Sequence, residues 1–190
     1  SRVTLMARAG LDTDAVVAAA AGLADEDGLQ RLTLAALAAR LGVRTPSLYA
    51  HVDGLGELRA RLAERGAREL ARVLRDAATG RAGADALQAV AWAYRGYARA
   101  HPGTYAAMQT PSARPENEAA AREVLELVVA TLRGYRLAPA VEIHAVRAVR
   151  AALHGFVTLE HEGGFALPVD LDESFGAMIA MLQAGLASLA

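Results

Sequence analysis

Side chains that can hydrogen-bond to DNA are concentrated directly after one glycine, in the segment 43–51. They are those of Arg44, Thr45, Ser47, Tyr49 and His51, with Pro46 among them. Guanidinium, hydroxyl and phenol groups of this kind bond to base edges and phosphates when a short helix lies in a major groove. The segment therefore has the chemistry of nucleic-acid recognition, provided that the flanking chain turns these side chains towards solvent.

The residues around this segment have the spacing of two helices joined by a tight turn. Ala38 is small enough for a close helix crossing, Gly42 tolerates the positive φ of a turn, and Leu48 supplies an apolar anchor six positions later. Thr33 can cap the first helix, where its hydroxyl can also reach a phosphate. The helix after the turn is expected over about 45–51. This spacing predicts a helix-turn-helix, although an ordinary pair of helices in a bundle can show the same features.

The rest of the chain is predicted to be helical, so the expected fold class is all-α. Apolar residues recur at helical spacing, and the sequence has no alternating strand pattern. We expect a helix-turn-helix domain over 1–54, with its core at 12–54, and then a connecting helix over 55–75. A Gly/Ala-rich break that begins at residue 76 opens a larger helical domain over 76–190. Within it, His101-Pro102-Gly103 is interpreted as a helix stop.

Composition excludes several classes of protein. None of the 190 residues is cysteine, so disulfides and thiolate metal sites are excluded, and all 20 basic residues are arginine. The net charge is −1, but residues 1–75 carry 11 arginines and 9 acidic residues, a charge of +2 that favours a DNA-binding N-terminal part. Apolar runs are shorter than the roughly 20 residues that cross a bilayer, and the longest uncharged run, 174–190, is interpreted as an interface helix. We expect a cytoplasmic protein with no membrane partner.

The helix-turn-helix segment resembles the N-terminal domain of a known family. It reads LAALAARLGVRTPSLYAHVDGLGEL over 34–58 and follows a helix that ends in ADEDG. The Gly-Val turn, the Leu-Tyr pair, the His that follows and the acidic-Leu step resemble the tetracycline-repressor (TetR) family of bacterial transcription regulators. This resemblance covers roughly residues 10–65. Trp92, the His-Pro-Gly turn and the stretch 152–175 resemble one subgroup of that family.

The resemblance implies three DNA-binding helices and, behind them, a helical domain that binds a small molecule and forms a homodimer. The expected partners are a double-stranded DNA operator, a second copy of the chain and an unidentified small-molecule effector. We expect no cofactor, and we expect the protein to be associated with the bacterial nucleoid. Two departures from the family pattern stand out: Val52 replaces the usual aromatic residue, and Leu55 replaces a common lysine. Phosphate binding would then depend on Thr33, Arg44, Tyr49, Arg2 and Arg8.

The last two long helices offer small and apolar residues for a four-helix interface with a two-fold mate. On the last helix these residues are Phe175, Met178, Ile179, Leu182 and Leu186. On the preceding helix they are Ala145, Ala148, Ala152, Gly155 and Leu159. The resemblance favours this interface, and packing within one copy is the alternative.

Large, adaptable side chains between these elements predict a cavity for a largely apolar effector. The candidate ligand-binding residues are Trp92, Tyr97, Tyr105, Met108, Leu125, His154, Phe156 and Glu160. Each of them can equally belong to an ordinary core. No metal is expected, because the histidines lack the His-x3-His spacing of a helical metal site.

The function predicted from these features is a repressor that binds a palindromic operator as a dimer and is released by a small molecule. A helical hydrolase or metal enzyme that uses His144, His154, Glu160 or His161 is the alternative from another class. It lacks a nucleophile elbow, a cysteine nucleophile and a phosphate loop, so the protein is not expected to be an enzyme. The nearer alternative is an architectural or division-linked helix-turn-helix protein that has no small-molecule ligand.

Overall fold

A computed structural model of the chain describes residues 11–112 and 114–190. Within these residues there are nine α-helices and no strands, which confirms the all-α expectation. The helices are α1 (Thr13–Asp27), α2 (Leu34–Leu41), α3 (Thr45–Leu48), α4 (Gly54–Ala78), α5 (Gly83–Ala100), α6 (Pro102–Met108), α7 (Pro115–Leu132), α8 (Pro139–His161) and α9 (Leu171–Ser188). None of these helices is long and apolar enough to span a membrane.

The first helix begins and ends where local sequence signals predict. Asp12 caps α1, because its carboxylate accepts the N–H of Ala15 at 2.7 Å. Asp14 lies in the first turn, where a negative charge favours the helix dipole. At the other end the N–H of Gly28 bonds to the carbonyl of Ala24 at 2.9 Å.

The Gly/Ala-rich break is shorter than expected. It was predicted to begin at residue 76, but α4 continues to Ala78 and α5 already starts at Gly83. Alanine is the strongest helix former, so Ala77 and Ala78 extend the helix instead of interrupting it. The connection therefore spans only residues 79–82.

The described residues form two compact units, each with its own core. The first unit comprises the residues up to Ala67 together with His101–Glu118, and the second comprises Arg68–Ala100 and Ala119–Ala190. This grouping departs from a linear division of the chain, because α6 packs against α1. The functional division at residues 54 and 75 stays a prediction.

The first unit is organised around buried residues of α1, α2, α3, α4 and α6. Representative members of this core are Val16, Ala20, Leu37, Leu48, Leu62 and Ala107. Val52, which replaces the family's usual aromatic residue, is buried in the same core, and Leu55 packs against it. Leu55 is therefore a packing residue at the position where the family commonly has a charge.

The second unit has a core built from α5, α7, α8 and α9. Representative members are Leu87, Val128, Leu132, Val149, Phe156 and Phe175. Phe156 and Phe175 meet edge to face with ring centroids 4.9 Å apart, and Trp92 meets Phe175 in the same way at 5.0 Å. Aromatic pairs prefer this geometry because the positive edge of one ring faces the negative face of the other.

Candidate functional site

The turn between α2 and α3 has the geometry that the sequence spacing predicts. Thr33 caps α2 by accepting the N–H of Ala36 at 3.1 Å. Gly42 ends the helix in the left-handed conformation, with φ 67°, which an L side chain rarely adopts. The N–H of Val43 then bonds to the carbonyl of Ala38 at 3.0 Å, so the chain leaves α2 in one fixed direction.

Leu48 fixes α3 to the first unit. It is fully buried, and Ala38, its counterpart on α2, is 3% exposed. A fully buried leucine is stabilised by roughly 1.5–3 kcal/mol relative to an exposed one. A helix of only four residues cannot be stable by itself, so this anchor and the turn determine how α3 is presented.

The opposite side of α3 is open to solvent. Arg44, Pro46, Ser47 and Tyr49 are exposed, and so is Thr33. Tyr49 keeps 59% of its surface accessible, so its ring and hydroxyl are open to a binding partner. Thr45 and His51 are half-buried, so they offer less of their surface than the sequence pattern suggested.

The helix after the turn is shorter than the predicted 45–51. It ends at Leu48, because Tyr49 and His51 bond to carbonyls only three residues back, those of Pro46 and Leu48. The carbonyl of His51 also accepts the Thr13 hydroxyl at 3.5 Å, which ties this turn to the start of α1. His51 therefore belongs partly to the packing of the first unit.

Two arginines near the turn differ in their partners. The guanidinium of Arg40 makes a bidentate ion pair with Glu26, with N–O distances of 2.6 and 2.7 Å. Arg44 has no ion-pair partner among the described residues. An exposed guanidinium without a carboxylate is available to a phosphate or a guanine edge. Arg2 and Arg8 lie outside the described residues.

The His-Pro-Gly turn does more than stop α5. Asp25 on α1 accepts the N–H of Thr104 at 2.7 Å and the Thr104 hydroxyl at 3.2 Å, and it lies 3.1 Å from Nδ1 of His101. A Cβ at Gly103 would overlap the backbone carbonyl of Ala24, so only glycine allows this approach. The motif therefore starts α6 and attaches it to α1 within the first unit.

Arg95 is a buried, charged residue that the sequence did not single out. Its side chain is 2% exposed on α5, and Nε and Nη2 bond to the two carboxylate oxygens of Glu160 at 2.8 and 2.7 Å. Its Nη1 lies 2.8 Å from the carboxylate of Asp172. These hydrogen bonds, which Arg95 donates and Glu160 accepts, lower the pKa of Glu160 and raise the pKa of Arg95. An arginine in an apolar helix was the only available signal.

Three aromatic rings surround the Arg95 guanidinium. Its central carbon lies 5.4 Å from the ring centroids of Trp92 and Phe156 and 4.9 Å from that of Phe175. Cation–π attraction at these distances partly replaces the lost hydration of the charge. We call Arg95, Glu160, Asp172 and these three rings the Arg95 cluster.

The predicted ligand-binding residues do not all lie in one unit. Trp92, Tyr97, Leu125, His154, Phe156 and Glu160 belong to the second unit, and Tyr105 and Met108 belong to the first. Tyr97 is buried, and its hydroxyl lies 3.4 Å from a carboxylate oxygen of Glu69. Trp92, Phe156 and Glu160 come together in the Arg95 cluster. Their ligand-binding role stays a prediction.

The predicted interface residues divide by burial. Phe175, Ile179, Leu186 and Ala145 are buried within the second unit, so in this arrangement they form its core. Helical periodicity cannot separate a face covered by the chain's own helices from one left open. Ala148 and Leu159 are exposed, and Ala152, Gly155, Met178 and Leu182 are half-buried.

An apolar groove of about 410 Å³ runs between α8 and α9 beside these residues. Its lining includes Ala148, Met178 and Leu182 from the predicted interface, together with Met181, Gly185 and Leu189. Met181 is 68% exposed and Leu189 is 51% exposed. The groove is thus an open hydrophobic surface on the two helices that were predicted to meet a second copy. No group of three potential metal ligands occurs among the described residues.

Comparisons with known proteins agree on one family. The sequence model described as "Tetracyclin repressor-like, C-terminal domain" matches residues 87–182. The HTH-type transcriptional regulator Rv0681 of Mycobacterium tuberculosis is 38% identical over 181 residues, which cover 94% of this chain and 83% of that protein.

Solved structures share the fold. A protein from Rhodococcus sp. RHA1 superposes with a TM-score of 0.81 at 26% identity, covering 95% of this chain and 98% of that one. ActR of Streptomyces coelicolor, solved in complex with (S)-DNPA, has a TM-score of 0.65 at 19% identity, with coverage of 95% and 98%. The chain belongs to the TetR family of helix-turn-helix transcriptional regulators.

Proposed function

We propose that the chain is a dimeric repressor that binds a palindromic operator through α3 and is released by a small, largely apolar molecule. The observation that carries this proposal is that α3 is buried on one side and exposed on the other. Leu48 is fully buried, while Arg44, Ser47 and Tyr49 face solvent. A short helix that packs on the core through a leucine can place its exposed polar side in a major groove.

The proposed contacts divide between bases and phosphates. Arg44 and Ser47 lie on the open side of α3 and are assigned to base edges or phosphates. Tyr49 and the N-terminus of α2 at Thr33 are assigned to phosphates, because a hydroxyl and helix N–H groups bind anions. Pro46, Thr45 and His51 complete the surface with smaller contact areas. The operator that this surface binds would be part of the bacterial nucleoid, in the cytoplasm.

A palindrome needs two recognition helices related by a two-fold axis. We assign the dimer contact to the apolar groove between α8 and α9, which exposes Met181 and Leu189. In such a dimer the two α3 helices would have to lie in successive major grooves, about 34 Å apart. Helices α8 and α9 of both copies would then form a four-helix interface.

Effector control is the third part of the proposal. Helix α4 is continuous from Gly54 to Ala78, and it supplies residues to both compact units. A ligand that shifts α4 would change the separation of the two recognition helices and weaken operator binding. The complex of ActR with (S)-DNPA is a case of a protein of this fold with a bound small molecule.

One observation favours the alternative without a ligand. Several candidate ligand-binding side chains already have partners: Glu160 pairs with Arg95, and the Tyr97 hydroxyl lies near Glu69. A helix-turn-helix protein with a filled second unit would bind DNA in the same way but show no effector response. The enzyme hypothesis based on His144, His154, Glu160 and His161 is wrong, because the family and the relatives of this chain are transcriptional regulators.

Fluorescence anisotropy tests the proposed function. The purified chain is titrated onto labelled DNA from upstream of its own gene and onto a scrambled duplex, each at two salt concentrations. We expect tight, salt-sensitive binding to the upstream DNA, at a stoichiometry of two chains per site. Equal binding to both duplexes, or binding as a single chain, would contradict the proposal.

A further inference from the structure

The Arg95 cluster contains a buried charge whose two carboxylate partners are unequal. The side chain of Glu160 is 12% exposed and accepts two hydrogen bonds, from Nε and Nη2 of Arg95, whereas that of Asp172 is 66% exposed and pairs only with Nη1. A buried cation needs partners that are themselves desolvated, because an exposed carboxylate is screened by water. Asp172 is therefore the weaker and more easily replaced partner.

The charge around Nη1 favours an anion over a cation as the replacement. Arg99, whose side chain is 60% exposed, lies 3.9 Å from Asp172 and 3.9 Å from Glu160. Removing the Asp172 carboxylate from this group would leave two guanidinium groups facing one carboxylate. A cation at that position would meet repulsion from both arginines, whereas a carboxylate restores neutrality.

The chain just before Asp172 is apolar and uncovered. Leu167 is 77% exposed and Val169 is 56% exposed, in the loop between α8 and α9. Phe165 of the same loop packs on Phe156 of the cluster, with ring centroids 4.8 Å apart. These two exposed side chains are free of the second unit's core and can pack on an apolar group that enters beside the cluster.

We propose that the carboxylate of a small organic acid with an apolar body replaces Asp172 on Nη1 of Arg95. Glu160 keeps its two bonds, and the loop with Leu167 and Val169 covers the apolar body of the acid. This inference rests on the proposed function, because it names the chemical class of the effector that the second unit binds. It gives the Arg95 cluster a role beyond holding α5 to α8 and α9.

Replacement of Asp172 has a structural consequence. Asp172 lies in the first turn of α9, and its pairing with Arg95 ties the start of that helix to α5. Asp170 caps α9 independently, accepting the N–H groups of Asp172 and Glu173 at 2.7 and 2.9 Å. The start of α9 would therefore stay helical while it loses its link to α5, and the helices proposed to form the dimer contact would respond.

Trp92 provides a direct readout. It is the only tryptophan in the sequence, and its ring centroid lies 5.4 Å from the Arg95 guanidinium. The probes are phenylacetate and its neutral analogue phenylacetamide, titrated onto the full chain while tryptophan emission is recorded. The variants are Asp172→Ala and the matched control Glu173→Ala, which removes another exposed carboxylate from the same turn of α9.

We expect phenylacetate to change Trp92 emission saturably and phenylacetamide to have no effect. Asp172→Ala removes the competing carboxylate, so the Kd for phenylacetate should fall about tenfold, the effect of one charged hydrogen bond. Glu173→Ala should bind phenylacetate like the unaltered chain. Equal binding of acid and amide, or equal affinities in the two variants, or the absence of a saturable response, would overturn the inference.

Operator binding is measured on the same samples without either probe. If the unaltered chain responds to phenylacetate but does not bind the operator, the proposed repressor function is contradicted and the carboxylate site is supported. If the unaltered chain binds the operator but does not respond to phenylacetate, the carboxylate site is contradicted and the DNA-binding function is supported. Far-ultraviolet circular dichroism of Asp172→Ala and Glu173→Ala checks that both variants fold.

Discussion

Arg44 in the first unit and Arg95 in the second use the same side chain in opposite ways. Arg44 is exposed and has no ion-pair partner among the described residues. Arg95 is 2% exposed, pairs with two carboxylates and lies among three aromatic rings. An arginine left free on the surface contributes little to stability and is available for binding, whereas a buried, paired one supports the fold.

The largest effect is expected from breaking the buried pair. Glu160→Leu leaves the Arg95 charge buried with only the exposed Asp172 as its partner, so we expect a loss of about 4 kcal/mol in the free energy of unfolding. Urea unfolding followed by Trp92 emission measures this loss. The neighbouring exposed Glu162→Leu is the control and should change stability by less than about 0.5 kcal/mol. Equal losses of stability in Glu160→Leu and Glu162→Leu would contradict the claim that the buried ion pair supports the fold.

The anchor of α3 should come next. Leu48→Ala removes a fully buried side chain from the first unit and should cost about 3 kcal/mol of unfolding free energy. The adjacent and exposed Tyr49→Ala should leave stability within about 0.5 kcal/mol of the original value. Urea unfolding followed by circular dichroism compares the two. If Tyr49→Ala were as destabilising as Leu48→Ala, the description of α3 as a helix with one buried side would fail.

A smaller effect, on binding alone, is expected at Arg44. Arg44→Ala should weaken operator binding by about 2 kcal/mol, and the slope of log K against log salt should decrease by about one if the contact is to a phosphate. Anisotropy at four salt concentrations gives both values. The control is Arg122→Ala, an exposed arginine on α7 in the second unit. A matching loss in the control would show that only net charge matters.

The smallest effect concerns pH. Hydrogen bonds from Arg95 hold the pKa of Glu160 below its ordinary value of 4.5, so this group stabilises the fold above that pH. The stabilisation disappears as pH falls through the lowered pKa. Glu160→Gln should therefore lose less stability than the original chain between pH 7 and pH 3, as measured by urea unfolding. Parallel losses in both proteins would contradict the assignment of this pKa to the pair.

Local features of the first unit were predictable from the sequence. The caps at Asp12 and Thr33, the turn at Gly42 and the buried anchor Leu48 each depend on residues a few positions apart. Such signals act within one helix or turn, so they can be recognised without the fold. The predicted length of α3 was too long, because residue types alone do not show that the N–H groups of Tyr49 and His51 bond to carbonyls only three residues back.

Features that depend on distant residues were not predictable. Arg95 and Glu160 are 65 positions apart, and Asp25 and Thr104 are 79 positions apart. A single sequence cannot pair such residues, so the Arg95 cluster and the attachment of α6 to α1 were missed. Phe175 was predicted to lie in the dimer interface, because apolar residues at helical spacing do not show whether a helix of the same chain or of a second copy packs on them.

The most direct test of the central claim is operator binding by an Arg44→Ala/Tyr49→Ala double variant. Both residues are exposed, so the variant should keep the circular dichroism spectrum and the unfolding midpoint of the original chain. We expect anisotropy titrations to show at least a hundredfold weaker binding to the upstream DNA, as the loss of two contacts implies. Unchanged affinity in a folded double variant would contradict the claim that α3 reads the operator.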